Sequence, residues 1–169
     1  MKLAGKTDVG LVRQDNQDDY RAGQLPGMRL GLVCDGMGGA RGGREASQSA
    51  CDVIERCFQE HYNKCLPGEE ELFLKRTLVS ANRFVFQKSI REESLAGMGT
   101  TAVCALVRSG KAYLCHAGDS RAYLFRDAAW PSSPMITPMC RSWWTAAPSP
   151  WRKQSITPRR TSSPGRWAW

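Results

Sequence analysis

The chain has 169 residues and a formal net charge of +8, from 24 Lys and Arg against 16 Asp and Glu. The excess is unevenly placed: residues 1–127 hold 18 basic and all 16 acidic residues, whereas residues 128–169 hold six basic residues, no acidic one, all six tryptophans and seven of the nine prolines. No apolar run approaches the roughly 20 residues of a membrane-spanning helix, Met1–Lys6 lacks the apolar core of a signal peptide, and seven cysteines without a Cys-x-x-Cys pair beside two histidines argue against a disulfide framework or a structural zinc site. The expectation is therefore a soluble cytoplasmic protein with reduced thiols and one domain of about 100–150 residues, neither half of which the overall charge describes.

In chain order, Arg29–Cys34 is a short apolar run that stops at Asp35-Gly36, the pattern of a buried strand delivering a carboxylate to a turn. From Arg44 to about His61, apolar residues recur every three or four positions, at 46, 50, 53, 54, 57 and 58, which predicts an amphipathic helix. After the Leu66-Pro67-Gly68 break, Glu69-Glu70-Glu71 places negative charge where a helix dipole favours it, and Leu74, Leu78, Ala81 and Val85 give a second helix its buried stripe. Thr100–Val107 and Lys111–Ala117, joined through Arg108-Ser109-Gly110, read as strand, turn, strand, and Ala122–Phe125 as a third strand. Cys34, Cys104 and Cys115 fall on these strands, where core packing is their expected role, and so does His116, expected to pack rather than to act as an acid. The order strand, helix, helix, strand, strand, strand indicates an α+β layered fold.

Three carboxylates sit at element ends beside glycine or polar turn residues: Asp18 in Arg13-Gln14-Asp15-Asn16-Gln17-Asp18, Asp35 in Asp35-Gly36-Met37-Gly38-Gly39, and Asp119 in Ala117-Gly118-Asp119-Ser120-Arg121. A single Asp-Gly is ordinarily only a turn, but three such carboxylates make a set of hard oxygen ligands suited to Mg²⁺ or Mn²⁺. With Thr7-Asp8-Val9-Gly10, Arg13-x-x-Asn16-x-Asp18, Gly42-Gly43 leading to Glu45-Ala46-Ser47, and Gly97-Met98-Gly99-Thr100-Thr101, these motifs stand in a defined order. On them, residues 7–127 resemble the PPM, or protein phosphatase 2C-type, metal-dependent serine/threonine phosphatases, most closely the small bacterial members.

The resemblance implies the N-terminal part of an α-β-β-α sandwich, two β-sheets flanked by helices. It implies two, or with Asp119 three, Mn²⁺ or Mg²⁺ ions held by Asp18, Asp35, the Gly36 carbonyl and Asp119, with Asp35 as the bridging carboxylate. Water activated by the ions would attack the phosphorus of phosphoserine or phosphothreonine. Arg13 corresponds to the arginine that grips the phosphate with two donors; the alternative for Arg13 is a surface ion pair with Asp15 or Asp18. The implied partners are phosphoproteins, substrates of a bacterial serine/threonine kinase, with no nucleic acid or membrane, and the protein is expected to be monomeric.

After Asp127 the resemblance stops. The family's two later metal aspartates are missing, and residues 128–169 carry no apolar period of either 2 or 3.6. Disordered tails are depleted in aromatics, yet this one is rich in tryptophan, a composition that suggests DNA read out of frame. Residues 135–145, back-translated within codon degeneracy and read two bases later, give Asp-His-Ser-Tyr-Val-Gln-Glu-Leu-Val-Asp, typical of the family's continuation. The expectation is thus a partial phosphatase domain over 1–127 with strands missing, an unrelated frameshifted tail that is not natively folded, and impaired phosphatase activity. The alternatives are an inactive remnant and, in another class, a nucleic-acid binder using the arginines and tryptophans of the tail.

Overall fold

The structure, a computed structural model, describes residues 2–123. Five strands and two long helices follow in the order β1 (Asp18–Leu25), β2 (Met28–Met37), α1 (Gly39–His61), α2 (Glu70–Arg91), β3 (Gly99–Thr100), β4 (Ala102–Arg108) and β5 (Lys111–Ala117). The sheet is antiparallel with order β1-β2-β4-β5, and the short β3 pairs with the end of β2.

β2 is the central strand, and its residues alternate. Met28, Leu30, Leu32 and Cys34 are at most 3% exposed and face the helices, while Val33 on the other face is 52% exposed. The strand expected to be buried is thus buried on one face only, and it runs on to Met37, because Gly36 and Met37 leave the β1–β2–β4 ladder and pair with Thr100 and Gly99. Asp35 consequently sits where β2 changes partners.

β1 carries no apolar alternation that would announce it. Its helix-facing Arg21, opposite Leu32, is neutralised by Asp19 (2.6 Å) on its own strand and by Asp52 (2.7 Å) and Glu55 (3.3 Å) on α1, so a charge takes a position an apolar side chain would ordinarily fill. Gly23 leaves room for the ring of Phe58.

α1 begins at Gly39, five residues before the apolar period predicts, with Gly42 and Gly43 in its first turns. Glycine is a poor helix former, but here the helix lies against the end of β2 so closely that a side chain at Gly43 would strike Gln17, and one at Gly42 would come within 3.2 Å of Met98. α2 starts after the Pro67-Gly68 break, as expected, and buries Leu74, Thr77, Leu78, Ala81 and Val85. The β4–β5 hairpin turns through Ser109 (φ 49°) and Gly110 (φ 74°), the pair of positive φ angles that a two-residue turn matching the sheet twist requires. Ala122 and Tyr123, half of the expected third strand, carry no strand; Leu124 and Phe125 lie outside the described residues.

Both helices lie on one sheet face. The core there includes Cys34, Cys51, Cys104 and Cys115, each at most 1% exposed, and the described cysteines form no disulfide with one another. The opposite face presents Tyr20, Ala22, Val33, Val103, Ala105 and Leu114, partly overlain by residues 3–8 across a groove of about 410 Å³. The described residues thus form a helix layer and one sheet of the expected sandwich. No helix among them is long and apolar enough to cross a membrane.

Glu70 opens α2 but is only 2% exposed. It accepts the Gly68 N–H (2.8 Å) and faces Arg108 (3.4 Å), which also donates to the Cys65 carbonyl oxygen (2.8 Å). Burial pushes its carboxyl up, but the backbone N–H groups of Glu70 and Gly68 together with Arg108 outweigh it and hold the group below its ordinary range. Glu70→Ala is therefore expected to cost about 2 kcal/mol in urea denaturation, since it removes the carboxylate partner of the half-buried Arg108 and the acceptor of the Gly68 N–H. With a depressed folded pKa, the stabilisation is present at neutral pH and is lost as pH falls through the folded value; the variant should lack that acid limb.

Candidate metal centre

Four chain segments meet at one end of the sheet: the loop before β1, the end of β2, the β3–β4 junction and the turn after β5. They enclose an open cavity of about 610 Å³ whose lining includes Arg13, Gln17, Asp35, Gly36, Thr101 and Asp119. Asp18, the first residue of β1, is the cross-strand partner of Asp35.

The loop is held by a chain of polar contacts. Ser47 of α1 donates to the Gln17 carbonyl oxygen (2.6 Å), the Gln17 side chain donates to the Gly39 carbonyl oxygen (2.8 Å), and the Gly36 N–H donates to the Gln17 carbonyl oxygen (3.2 Å). Asn16 caps the Asp18 N–H (3.0 Å) and donates to Thr7 (2.6 Å). Asp15 is engaged by Arg44 (3.0 Å). Arg13 therefore does not have Asp15 as its partner, and among the described residues it makes no ion pair; it lines the cavity, where its charge acts on Asp35.

Asp35 and Asp18 lie close enough for their carboxyl groups to hydrogen-bond. Burial, then the Asp18 charge and that hydrogen bond, raise the Asp35 pKa, with Asp119 adding to the effect and Arg13 opposing it. Two carboxylates set opposite each other, one of them resisting ionisation, suit a divalent ion, whose charge would relieve the repulsion. In this respect the residues present fit Mn²⁺ or Mg²⁺. The set is partial: among the described residues no three His, Cys, Asp or Glu side chains come together as a cluster able to hold an ion. Asp119 reaches Asp35 through its field and shares the cavity with it, but it does not join the pair to make such a cluster.

Gly36 is required by packing. A Cβ there would run into the Gly43 carbonyl oxygen and lie 2.7 Å from that of Gln17, both backbone atoms that cannot swing aside. Gly36→Ala is expected to cost about 2–3 kcal/mol by overpacking, read as a lowered melting temperature. His116, opposite Val103 on β5, lies outside the cavity lining.

Sequence reasoning singled out the motif containing Thr101 without giving that residue a role. Its hydroxyl accepts the Asp35 N–H (3.1 Å) and lies 2.7 Å from the Ser120 hydroxyl, while its own N–H donates to the Asp35 carbonyl oxygen (2.9 Å). Thr100 donates its hydroxyl to the same oxygen (3.0 Å). The available signal was two adjacent hydroxyl residues between a glycine motif and a strand.

Comparison with known proteins accounts for this arrangement. The family model described as Protein phosphatase 2C matches residues 10–138, running past Asp127. The serine/threonine phosphatase stp of Listeria monocytogenes serotype 4b is 32% identical over 123 residues, 72% of this chain and 49% of that protein. Serine/threonine protein phosphatase PstP of Mycobacterium tuberculosis is 35% identical over 128 residues, 75% of this chain and 23% of that protein. The crystal structure of the M. tuberculosis phosphatase PstP/Ppp superposes with a TM-score of 0.66 at 32% identity, covering 78% of this chain and 52% of that one. A structure of the PstP catalytic domain in complex with two manganese ions gives the same TM-score of 0.66 at 31% identity. The chain spans about half the length of the Listeria relative and of these solved domains. With its ordered motifs, its helix-backed antiparallel sheet and the carboxylate pair at the sheet end, the chain belongs to the protein phosphatase 2C family.

Proposed function

We propose that this chain carries the first half of a metal-dependent protein phosphatase that hydrolyses phosphoserine and phosphothreonine in proteins. The observation that carries the reading is the Asp18–Asp35 cross-strand carboxylate pair, of which Asp35 lines the cavity with Arg13 and Asp119 while Asp18 borders the groove on the open sheet face. Asp18, Asp35, the Gly36 carbonyl and Asp119 are the groups that would hold Mn²⁺ or Mg²⁺, which when bound supplies an activated water and neutralises phosphoryl charge. Arg13, unpaired with Asp15, can offer its planar guanidinium to two phosphoryl oxygens, orienting the monoester and stabilising the charge that develops on it. Thr100 and Thr101 hold the Asp35 backbone, so its carboxylate is presented from a fixed strand end.

Phosphoproteins are the substrates this reading implies, in particular those of a bacterial serine/threonine kinase, in the cytoplasm. The test is Mn²⁺-dependent hydrolysis of p-nitrophenyl phosphate and a phosphothreonine peptide by the purified chain. Activity that persists in excess chelator, or that is unaffected by Arg13→Ala, overturns the reading.

A second reading, an inactive remnant, is favoured by the absence of a three-ligand cluster among the described residues. Residues 128–169 lie outside the described residues; we take them as out-of-frame sequence, and resequencing the gene across codon 128 tests this. If the alternative frame encodes nothing phosphatase-like, the frameshift is excluded.

A further inference from the structure

We propose that Thr101 is a positioning residue for the metal centre, its hydroxyl tying Asp35 on β2 to the Gly118–Ser120 turn that carries Asp119. The inference rests on the phosphatase reading above and extends the part Thr101 plays there, from holding the Asp35 backbone to coupling it with the turn that carries Asp119.

Asp35, at the end of β2, and Asp119, in the turn after β5, line one cavity, but β2 and β5 are not neighbours in the sheet, so no ladder pairing joins the two carboxylate-bearing segments. Thr101 does. It is 2% exposed and stands at the break between β3 and β4. On one side it holds Asp35 by a two-way clamp, N–H to the Asp35 carbonyl oxygen (2.9 Å) and Asp35 N–H to its hydroxyl oxygen (3.1 Å). On the other side the same hydroxyl lies 2.7 Å from Ser120, the neighbour of Asp119. The turn also seats directly on the Thr101 side chain: Gly118 has φ +98°, and a Cβ there would come within 2.7 Å of Thr101 Cγ2.

One hydroxyl thus accepts from the first carboxylate's backbone and bonds the residue beside the second. A methyl in its place would keep the packing but leave the Asp35 N–H without its acceptor and the Ser120 hydroxyl without its partner. Removing such an outer contact ordinarily weakens metal binding by about 10–100-fold, because the ligands are no longer preorganised.

The experiment titrates Mn²⁺ into the 169-residue chain, followed by electron paramagnetic resonance of the free ion, for the wild type, Thr101→Val, Thr101→Ser and Ser120→Ala, with melting temperatures in parallel. Glu70→Ala serves as a control that destabilises the fold away from the site. The expected result is an affinity at least about 10-fold weaker in Thr101→Val, near wild type in Thr101→Ser, reduced in Ser120→Ala and unchanged in Glu70→Ala. Equal affinity for Thr101→Val and wild type overturns the proposal while leaving the phosphatase reading intact. A wild type that binds no Mn²⁺ at millimolar concentration overturns the reading and the proposal with it. If Thr101→Val does not fold, Ser120→Ala decides: unchanged affinity overturns the proposal.

Discussion

Asp35→Asn is expected to lower Mn²⁺ affinity by at least about 100-fold, beyond the upper end of what loss of an outer contact costs, and to bring phosphatase activity below detection. The same substitution should leave the metal-free protein as stable as the wild type or more so. Asp35 is held with a raised pKa by burial, by Asp18 and by Asp119, so the native state has to accommodate a charge it resists. The sign of the pH dependence follows. A carboxyl whose folded pKa is raised is penalised as pH climbs through the unfolded and then the folded value, so acidification from neutral pH into that window should stabilise the metal-free chain. Mn²⁺ should abolish that gain, and Asp35→Asn should lack it. This opposes the Glu70 contribution, which is lost on acidification, and thermal melts of the two variants across pH separate them. A destabilised Asp35→Asn protein with wild-type Mn²⁺ affinity would remove Asp35 from the metal centre.

The second large effect concerns the sheet face opposite the helices. Val33 is 52% exposed there, and Tyr20, Val103, Ala105 and Leu114 share its side of the sheet. A polypeptide continued through the alternative frame should cover this face. Burying a Val or Leu side chain contributes about 1.5–3 kcal/mol, so covering these partly exposed groups should add about 5 kcal/mol, against a total of roughly 5–15 for an ordinary domain. The frame-restored protein should therefore melt well above the 169-residue chain, stay monomeric in light scattering where the shorter chain associates, and turn over p-nitrophenyl phosphate faster. Val33→Lys provides the control. It should be near neutral for stability in the 169-residue chain and reduce its association, but cost about 3 kcal/mol once the face is buried. Equal melting temperatures and rates for the two chains would refute the prediction.

Much of the fold was legible from local pattern. α2 and β5 lie where the periodicity placed them, and the stripe Leu74, Leu78, Ala81, Val85 is buried. β1 was not legible, because its helix-facing positions carry Asp19, Arg21 and Gly23; only the ion pairs with α1 and the ladder with β2 make it a strand. Nor was the start of α1 at Gly39, since glycines read as helix breakers until their neighbours, Gln17 and Met98, are known.

At the site, residue types and order were readable from the chain: Arg13, Asp18, Asp35 and Asp119 each sit in a recognisable motif, and the compositional break after Asp127 needs no structure at all. Tertiary structure alone decided their relations. It sets Asp18 opposite Asp35, turns Asp15 toward Arg44, and links Asp35 to Ser120 through Thr101. The physical reason is distance along the chain. Period and motif report what neighbours within a few positions share, whereas Thr101 and Asp35 are 66 residues apart and meet only because β2 changes partners where the two carboxylate-bearing strands end.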